Sequence, residues 1–154
     1  MISKKEYEIL YEVQQLPLIP KPFQEIATRL GIEEEELIRI CEKLKVEKKI
    51  RRFGASVAHR RLGFSSNPMT AVNVPKERID MVGEMIAKEP DVTHCYSRTG
   101  FDYNIFFIIH GKKRDEAVKR VEEIVEKTGI SDFKIYFSTH EYKKTSFKLK
   151  RKSN

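Results

Sequence analysis

Apolar positions recur at helical spacing through the first third of the chain. Tyr7, Leu10 and Tyr11 share one face of a segment running from Lys4 to Leu16. Pro17, Pro20 and Pro22 interrupt that pattern. Phe23, Ile26, Ala27 and Leu30 then fall at i, i+3, i+4 and i+7, Gly31 supplies a turn, and Leu37, Ile40, Cys41 and Leu44 repeat the spacing. Three short helices, the last two joined tightly, predict a helix-turn-helix over residues 1–50. Cys41 fits there as a small buried hydrophobe. Ile50-Arg51-Arg52-Phe53-Gly54 then predicts an extended segment, as in a winged module.

Beyond a connecting strand or linker at 51–68, the period changes. Met69–Val74 reads as a strand stopped by Pro75, and Lys76–Lys88 as a helix with Ile79, Val82 and Ile86 on one face. Val92–Arg98 and Tyr103–His110 read as strands around a turn at Thr99-Gly100. Lys112–Lys127 reads as a helix stopped by Gly129, and Asp132–His140 as a last strand. The order βαββαβ over 69–147 predicts a ferredoxin-like domain with both helices on one face of the sheet. Residues 148–154 are left as a basic tail. The fold class is therefore α+β, a winged helix-turn-helix followed by a ferredoxin-like domain.

Strand alternation sorts the second domain's side chains. His94, Tyr96 and Arg98 share one face, and Thr93, Cys95 and Ser97 the other. Asn104, Phe106, Ile108 and His110 oppose Tyr103, Ile105, Phe107 and Ile109. Both faces of that third strand are largely apolar, which predicts that both are covered and that the domain dimerises through its open sheet face. A cleft at such an interface is a common ligand site.

The charge distribution changes the picture of the first module. The chain carries a net +7, yet residues 1–50 hold 9 Lys/Arg against 10 Asp/Glu, residues 51–110 hold 8 against 6, and residues 111–154 hold 13 against 7. The basic excess lies outside the helix-turn-helix, much of it in Lys148–Lys152, read as a solvated tail. In DNA-reading modules the start of the last helix enters the major groove. Here that start is Glu33-Glu34-Glu35-Glu36. Carboxylates suit the positive end of a helix dipole, and phosphate repels them. Arg29, Arg39 and Lys43 are the cations nearby. Nucleic-acid binding is not expected. No run of about 20 apolar residues is present for a membrane span. The N-terminus lacks the apolar core of a secretion signal, so a cytoplasmic address is expected.

The two cysteines form no CxxC, and the four histidines, His59, His94, His110 and His140, show no helical metal spacing. No metal bound by protein groups alone is expected, nor is a phosphate loop or a nucleophile elbow present. What remains is histidine and arginine around an aromatic surface: Arg51, Arg52, His59, Arg60, Arg61, His94, Tyr96 and Arg98. Guanidinium groups pair with carboxylates, and histidine exchanges a proton near neutral pH. That combination suits a large planar polycarboxylate.

The order helix-turn-helix, connecting strand, βαββαβ resembles the Lrp/AsnC class of small-molecule-responsive regulators. IRRFGASVAHRRLG (50–63) is similar to that class in its linker. AVNVP (71–75), HCYSR (94–98) and YNIFFIIHG (103–111) resemble an enzyme branch of it, the siroheme decarboxylases. The resemblance covers about residues 5–147. It implies removal of two acetate carboxyl groups from siroheme, giving 12,18-didecarboxysiroheme on the route to haem or haem d1. It implies no added cofactor, co-purification with haem or another tetrapyrrole, and a homodimer or a heterodimer of related subunits. Among the matching positions, His94 and then His59 are expected as proton donors. Arg51, Arg52, Arg60, Tyr96, Arg98, Asn104 and His110 are expected against the substrate, with the substrate iron facing His59, His94 or His110. The chain departs from the family at Val72, where Trp is usual, at the short loop Thr99–Asp102, and at His140, where Arg or Lys is expected. Two other readings stay open: a DNA-binding regulator, and a non-catalytic tetrapyrrole-binding subunit.

Overall fold

The computed structural model describes residues 2–151, which form two units: 2–56 with 143–151, and 57–142. Of the expected basic tail, residues 152–154 lie outside the described residues.

The first unit holds α1 (Lys4–Val13), α2 (Pro22–Leu30) and α3 (Glu34–Val46). Ser3 caps α1 in a reciprocal box with Glu6, satisfying amides that the first helical turn leaves open. Pro22 opens α2, where its missing N–H costs nothing, and Gly31 closes it at φ 65°. Ile9, Val13, Ile26, Ala27, Leu37 and Cys41 form the core. Burial pushes the Cys41 thiol pKa up, as suits an inert packed cysteine.

The buried stripe of α1 is not the expected one. Glu6, Ile9 and Val13 face inward, while Tyr7, Leu10 and Tyr11 are half-buried. The tyrosine face meets the C-terminal segment instead. Tyr7 Oη donates to the Lys150 carbonyl at 2.8 Å, Leu149 N donates to Gln14 Oε1 at 2.7 Å, and the Arg151 guanidinium lies 6.0 Å from the Tyr11 ring. The part of the basic segment that is described therefore runs along α1 rather than standing off in solvent. The segment after Ile50 forms no strand ladder; without a neighbouring edge to pair with, the expected wing stays irregular up to a 3-10 turn at His59–Leu62.

Lys43 Nζ donates to Glu6 Oε1 at 2.8 Å. That bond, then the Ser3 amide, holds the Glu6 carboxyl at about 2 against an ordinary 4.5. A carboxyl whose pKa is depressed by folding stabilises the fold above its unfolded value. The first unit is accordingly expected to lose stability as pH falls from 4.5 through about 2, and Glu6→Gln to flatten that dependence, read from denaturation midpoints against pH.

The second unit contains β1 (Met69–Val72), α4 (Ile79–Ala87), β2 (Val92–Ser97), β3 (Ile105–Ile109), α5 (Arg114–Glu126) and β4 (Phe133–Tyr136). The strands form one antiparallel sheet in the order β2-β3-β1-β4. This is the βαββαβ arrangement expected. Val82 and Ile86 of α4 and Val121 and Ile124 of α5 pack in one cluster with Ile105, Phe107 and Ile109, so both helices cover the same face. β4 stops at Tyr136, short of the expected His140, because β1 gives it only four residues to pair with.

Register places two rows of side chains across the uncovered face. Tyr96, Phe106, Ala71 and Lys134 make one row, and His94, Ile108, Met69 and Tyr136 the other. Tyr96 is 54% exposed and Tyr136 45%. On the covered face Thr70 is fully buried, and its hydroxyl has no hydrogen-bond partner among the described residues. A buried unpaired hydroxyl costs free energy that an isosteric methyl does not. Thr70→Val is expected to stabilise the second unit by about 1 kcal/mol, measured by urea denaturation. No helix of the described residues is long and apolar enough to cross a membrane.

Candidate functional site

Two groups of the expected residues are assembled in the second unit. The first lies on β2 and β3. His94 is exposed at the edge of the uncovered face, its Nδ1 3.0 Å from Thr93 Oγ1 and its ring centroid 6.2 Å from that of Tyr96. Arg98 lies 5.4 Å from the Phe106 ring and 6.0 Å from the Tyr96 ring, and Phe101 stacks edge-on against Phe106 at 6.0 Å. Aromatic faces attract a guanidinium without using its N–H groups, so Arg98 is held while its donors stay available in kind for a carboxylate. A shallow pocket of about 280 Å³ sits on this face over the small Ala71 side chain, between Met69, Phe106 and Tyr136.

The second group was only partly expected. His59 and His110 meet edge to face with ring centroids 4.5 Å apart. Between them stands Asn67, its Nδ2 2.9 Å from His59 Nε2 and its Oδ1 2.8 Å from His110 Nδ1. His59 comes from the 3-10 turn His59–Leu62 and His110 from the end of β3. All three side chains are half-buried.

The remaining expected residues are placed differently. Arg60 makes a long ion pair of 3.9 Å with Glu141. Arg51 and Arg52 are exposed and belong to the first unit. Asn104 is engaged within the fold. Its Oδ1 accepts from the Val74 amide at 3.0 Å and its Nδ2 donates to the Val74 carbonyl at 2.6 Å, so its side chain ties the exit of β1 to the start of β3. His140 stacks on Tyr142 in exposed chain beyond β4.

Asn67, Phe101 and Lys134 were missed. Lys134 stands at the β4 end of the Tyr96 row, with its Nζ 5.0 Å from the Tyr103 ring. Tyr103 in turn donates to Asp132 at 3.0 Å. Hydrogen bonds from Asn73 and then Tyr103 hold the Asp132 carboxyl below its ordinary range. Strict alternation could have found Lys134, since it faces Ala71. Nothing in local spacing marks Asn67.

In the first unit, Arg29 and Lys43 are engaged by carboxylates, as is Lys5, while Arg39 is exposed on α3. Arg29 pairs with Glu12 at 3.1 Å, Lys43 with Glu6 at 2.8 Å, and Lys5 with Glu36 at 2.6 Å.

Comparison with known proteins adds the context. Residues 6–51 match the profile of a siroheme decarboxylase NirDL-like HTH domain, and residues 61–143 that of an AsnC-like ligand binding domain. A siroheme decarboxylase beta subunit from Methanosarcina barkeri is 39% identical over 152 residues, covering 96% of this chain and all of that one. The crystal structure of the siroheme decarboxylase NirDL in complex with an iron-uroporphyrin III analogue is 36% identical with a TM-score of 0.64, and this chain covers 47% of its length. AsnC from E. coli aligns with a TM-score of 0.76 at 17% identity over 96% of this chain and 98% of that one, a likeness of fold.

Proposed function

The chain belongs to the siroheme decarboxylase family, and from that premise we propose that it removes two acetate carboxyl groups from siroheme, working as one subunit of a paired assembly. One observation carries the reading: the uncovered sheet face sets an imidazole, His94, and a guanidinium, Arg98, at the border of an aromatic and apolar platform. Three strand gaps make that platform roughly 14 Å wide, a scale that suits a planar macrocycle.

The chemistry is a proton exchange for CO2. The bond between an acetate methylene and its carboxylate breaks, and the electron pair passes into the conjugated ring. The methylene carbon then takes a proton and becomes a methyl group. No electron is gained or lost overall, so the step requires no oxidant and no added cofactor. His94 supplies one proton as a general acid, and the His59–His110 pair stands ready as a second source. Arg98 holds a carboxylate that is kept, and Lys134 can hold another across the face. The product is 12,18-didecarboxysiroheme, an intermediate for haem or haem d1.

Pairing follows from the same face. Tyr96, Met69 and Tyr136 leave apolar surface exposed that a second subunit would cover, whether another copy or a related chain. The M. barkeri relative is named a beta subunit, and the NirDL chain is about twice the length matched here. The helix-turn-helix is read as a packing module, because α3 opens on a run of glutamates and both Arg29 and Lys43 beside it are paired with carboxylates.

Anaerobic titration tests this. Siroheme is expected to shift its absorbance on adding the chain, and DNA is expected to show no salt-dependent retardation. An unshifted spectrum together with salt-sensitive DNA retardation would favour a regulator instead.

A further inference from the structure

We propose that Asn67 is a positioning residue: it imposes one shared tautomer on His59 and His110, and thereby makes His110 the proton carrier of that pair. This rests on the decarboxylase reading for its catalytic consequence, and on geometry alone for the tautomers.

An amide nitrogen only donates and an amide oxygen only accepts. Asn67 Nδ2 faces His59 Nε2 at 2.9 Å, so that nitrogen accepts and the neutral His59 ring carries its proton on Nδ1. Asn67 Oδ1 faces His110 Nδ1 at 2.8 Å, so that nitrogen donates and the neutral His110 ring also carries its proton on Nδ1. Rotating the amide by half a turn would reverse both rings together. One side chain therefore couples the two histidines.

The two rings differ in what protonation does to them. A cationic His110 still donates from Nδ1 to Asn67 and keeps its bond. A cationic His59 points an N–H at the Asn67 NH2 group and loses its bond. Protonation of His110 thus leaves its Asn67 bond in place, whereas protonation of His59, packed edge-on against it at 4.5 Å, breaks one. The expected order of donors changes accordingly: after His94 comes His110, with His59 behind it.

The backbone is built to hold this arrangement. Ser66 and Gly111 exchange both amide hydrogen bonds, at 3.0 and 2.7 Å, tying the residue before Asn67 to the residue after His110. A Cβ on Gly111 would meet the Ala117 side chain at 3.0 Å, so glycine lets the bridge lie against α5. On the other side, Phe64 N donates to the His59 carbonyl at 3.0 Å and Gly63 closes the turn at φ 86°, fixing His59 from its own segment.

Long-range 1H–15N spectra of the histidine-labelled full chain, assigned with His59→Gln and His110→Gln, read the tautomers without substrate. Both rings are expected as Nδ1–H in the wild type, and Asn67→Ala is expected to shift at least one toward Nε2–H. With siroheme and the chain in its native assembly, Asn67→Ala is expected to lower kcat about 10-fold with KM within about 2-fold, and His110→Ala to cost more than His59→Ala. Asn67→Asp, whose two oxygens only accept, is expected to move the His59 proton to Nε2 and not to restore kcat. Different tautomers on the two wild-type rings, both rings as Nε2–H, spectra indifferent to Asn67→Ala, or an unchanged kcat in that variant would each overturn the proposal. The wild-type spectra decide the tautomers even if a variant fails to fold. A wild-type assembly that never decarboxylates siroheme would remove the function and leave the tautomer result standing.

Discussion

Replacing His94 with alanine is expected to lower siroheme decarboxylation by about 100-fold or more, the usual worth of a positioned general acid. The fold should not notice. His94 is exposed, its Nδ1 meets the hydroxyl of its neighbour Thr93, and it sits outside the core cluster. Its loss should change unfolding by no more than about 0.5 kcal/mol, as for other surface positions. The reason for so large a kinetic effect is electrostatic timing. As the carboxylate leaves, charge builds on the methylene carbon and ring, and a proton delivered there prevents CO2 from adding back. Water can supply that proton, but without a fixed position, whereas His94 would deliver it from a defined place on the face beside Ile108 and Met69. Single-turnover rates for wild type and His94→Ala, with unfolding curves for both, check the claim; rates within about 3-fold of each other would remove His94 from the chemistry.

Phe107→Ala is expected to have the largest effect on stability. Phe107 is 1% exposed at the centre of β3, opposite Thr70 on β1 and Cys95 on β2, beneath both helices. Emptying that space costs about 3–5 kcal/mol, the transfer of the ring plus the cavity it leaves. Set against about 5–15 kcal/mol for a whole domain, this leaves the second unit close to unfolding. β3 carries Phe106 and leads into His110, so both side-chain groups of the site are expected to lose their geometry with it. The first unit has its own core of Ile9, Ile26 and Leu37 and is expected to keep its helical signal. Urea denaturation followed by circular dichroism should show the sheet transition moving to lower denaturant while a helical transition persists. A loss under about 1 kcal/mol would mean that the core closes around the gap.

Particular residues show why parts of this architecture could be read from sequence and parts could not. The helices α2 and α3 follow from apolar spacing because every inward position is apolar. The face of α1 was misread because a carboxylate occupies one of its core positions, and hydrophobic pattern cannot see that Lys43, far along the chain, makes Glu6 tolerable there. The sheet arrangement was legible from the element order βαββαβ and the placing of turns. The length of β4 was not, since it depends on how many residues β1 offers. His94, Tyr96 and Arg98 were brought to one face by period-two geometry alone. Asn104 was expected against the substrate only from its place in the matching third-strand motif, and that motif gave no sign that both ends of its amide would bond Val74. Asn67 gave no signal because its role exists only where a turn, a bridge and a strand end converge, with partners 8 and 43 residues away.

The central claim is that CO2 is exchanged for a solvent-derived proton, without oxidation. Mass spectrometry of siroheme incubated anaerobically with the native assembly in D2O, with no electron acceptor, tests it most directly. The expected product has lost two CO2 and carries one deuteron in each of two new methyl groups. Siroheme recovered at unchanged mass, or a loss of CO2 that requires an added oxidant, would contradict it.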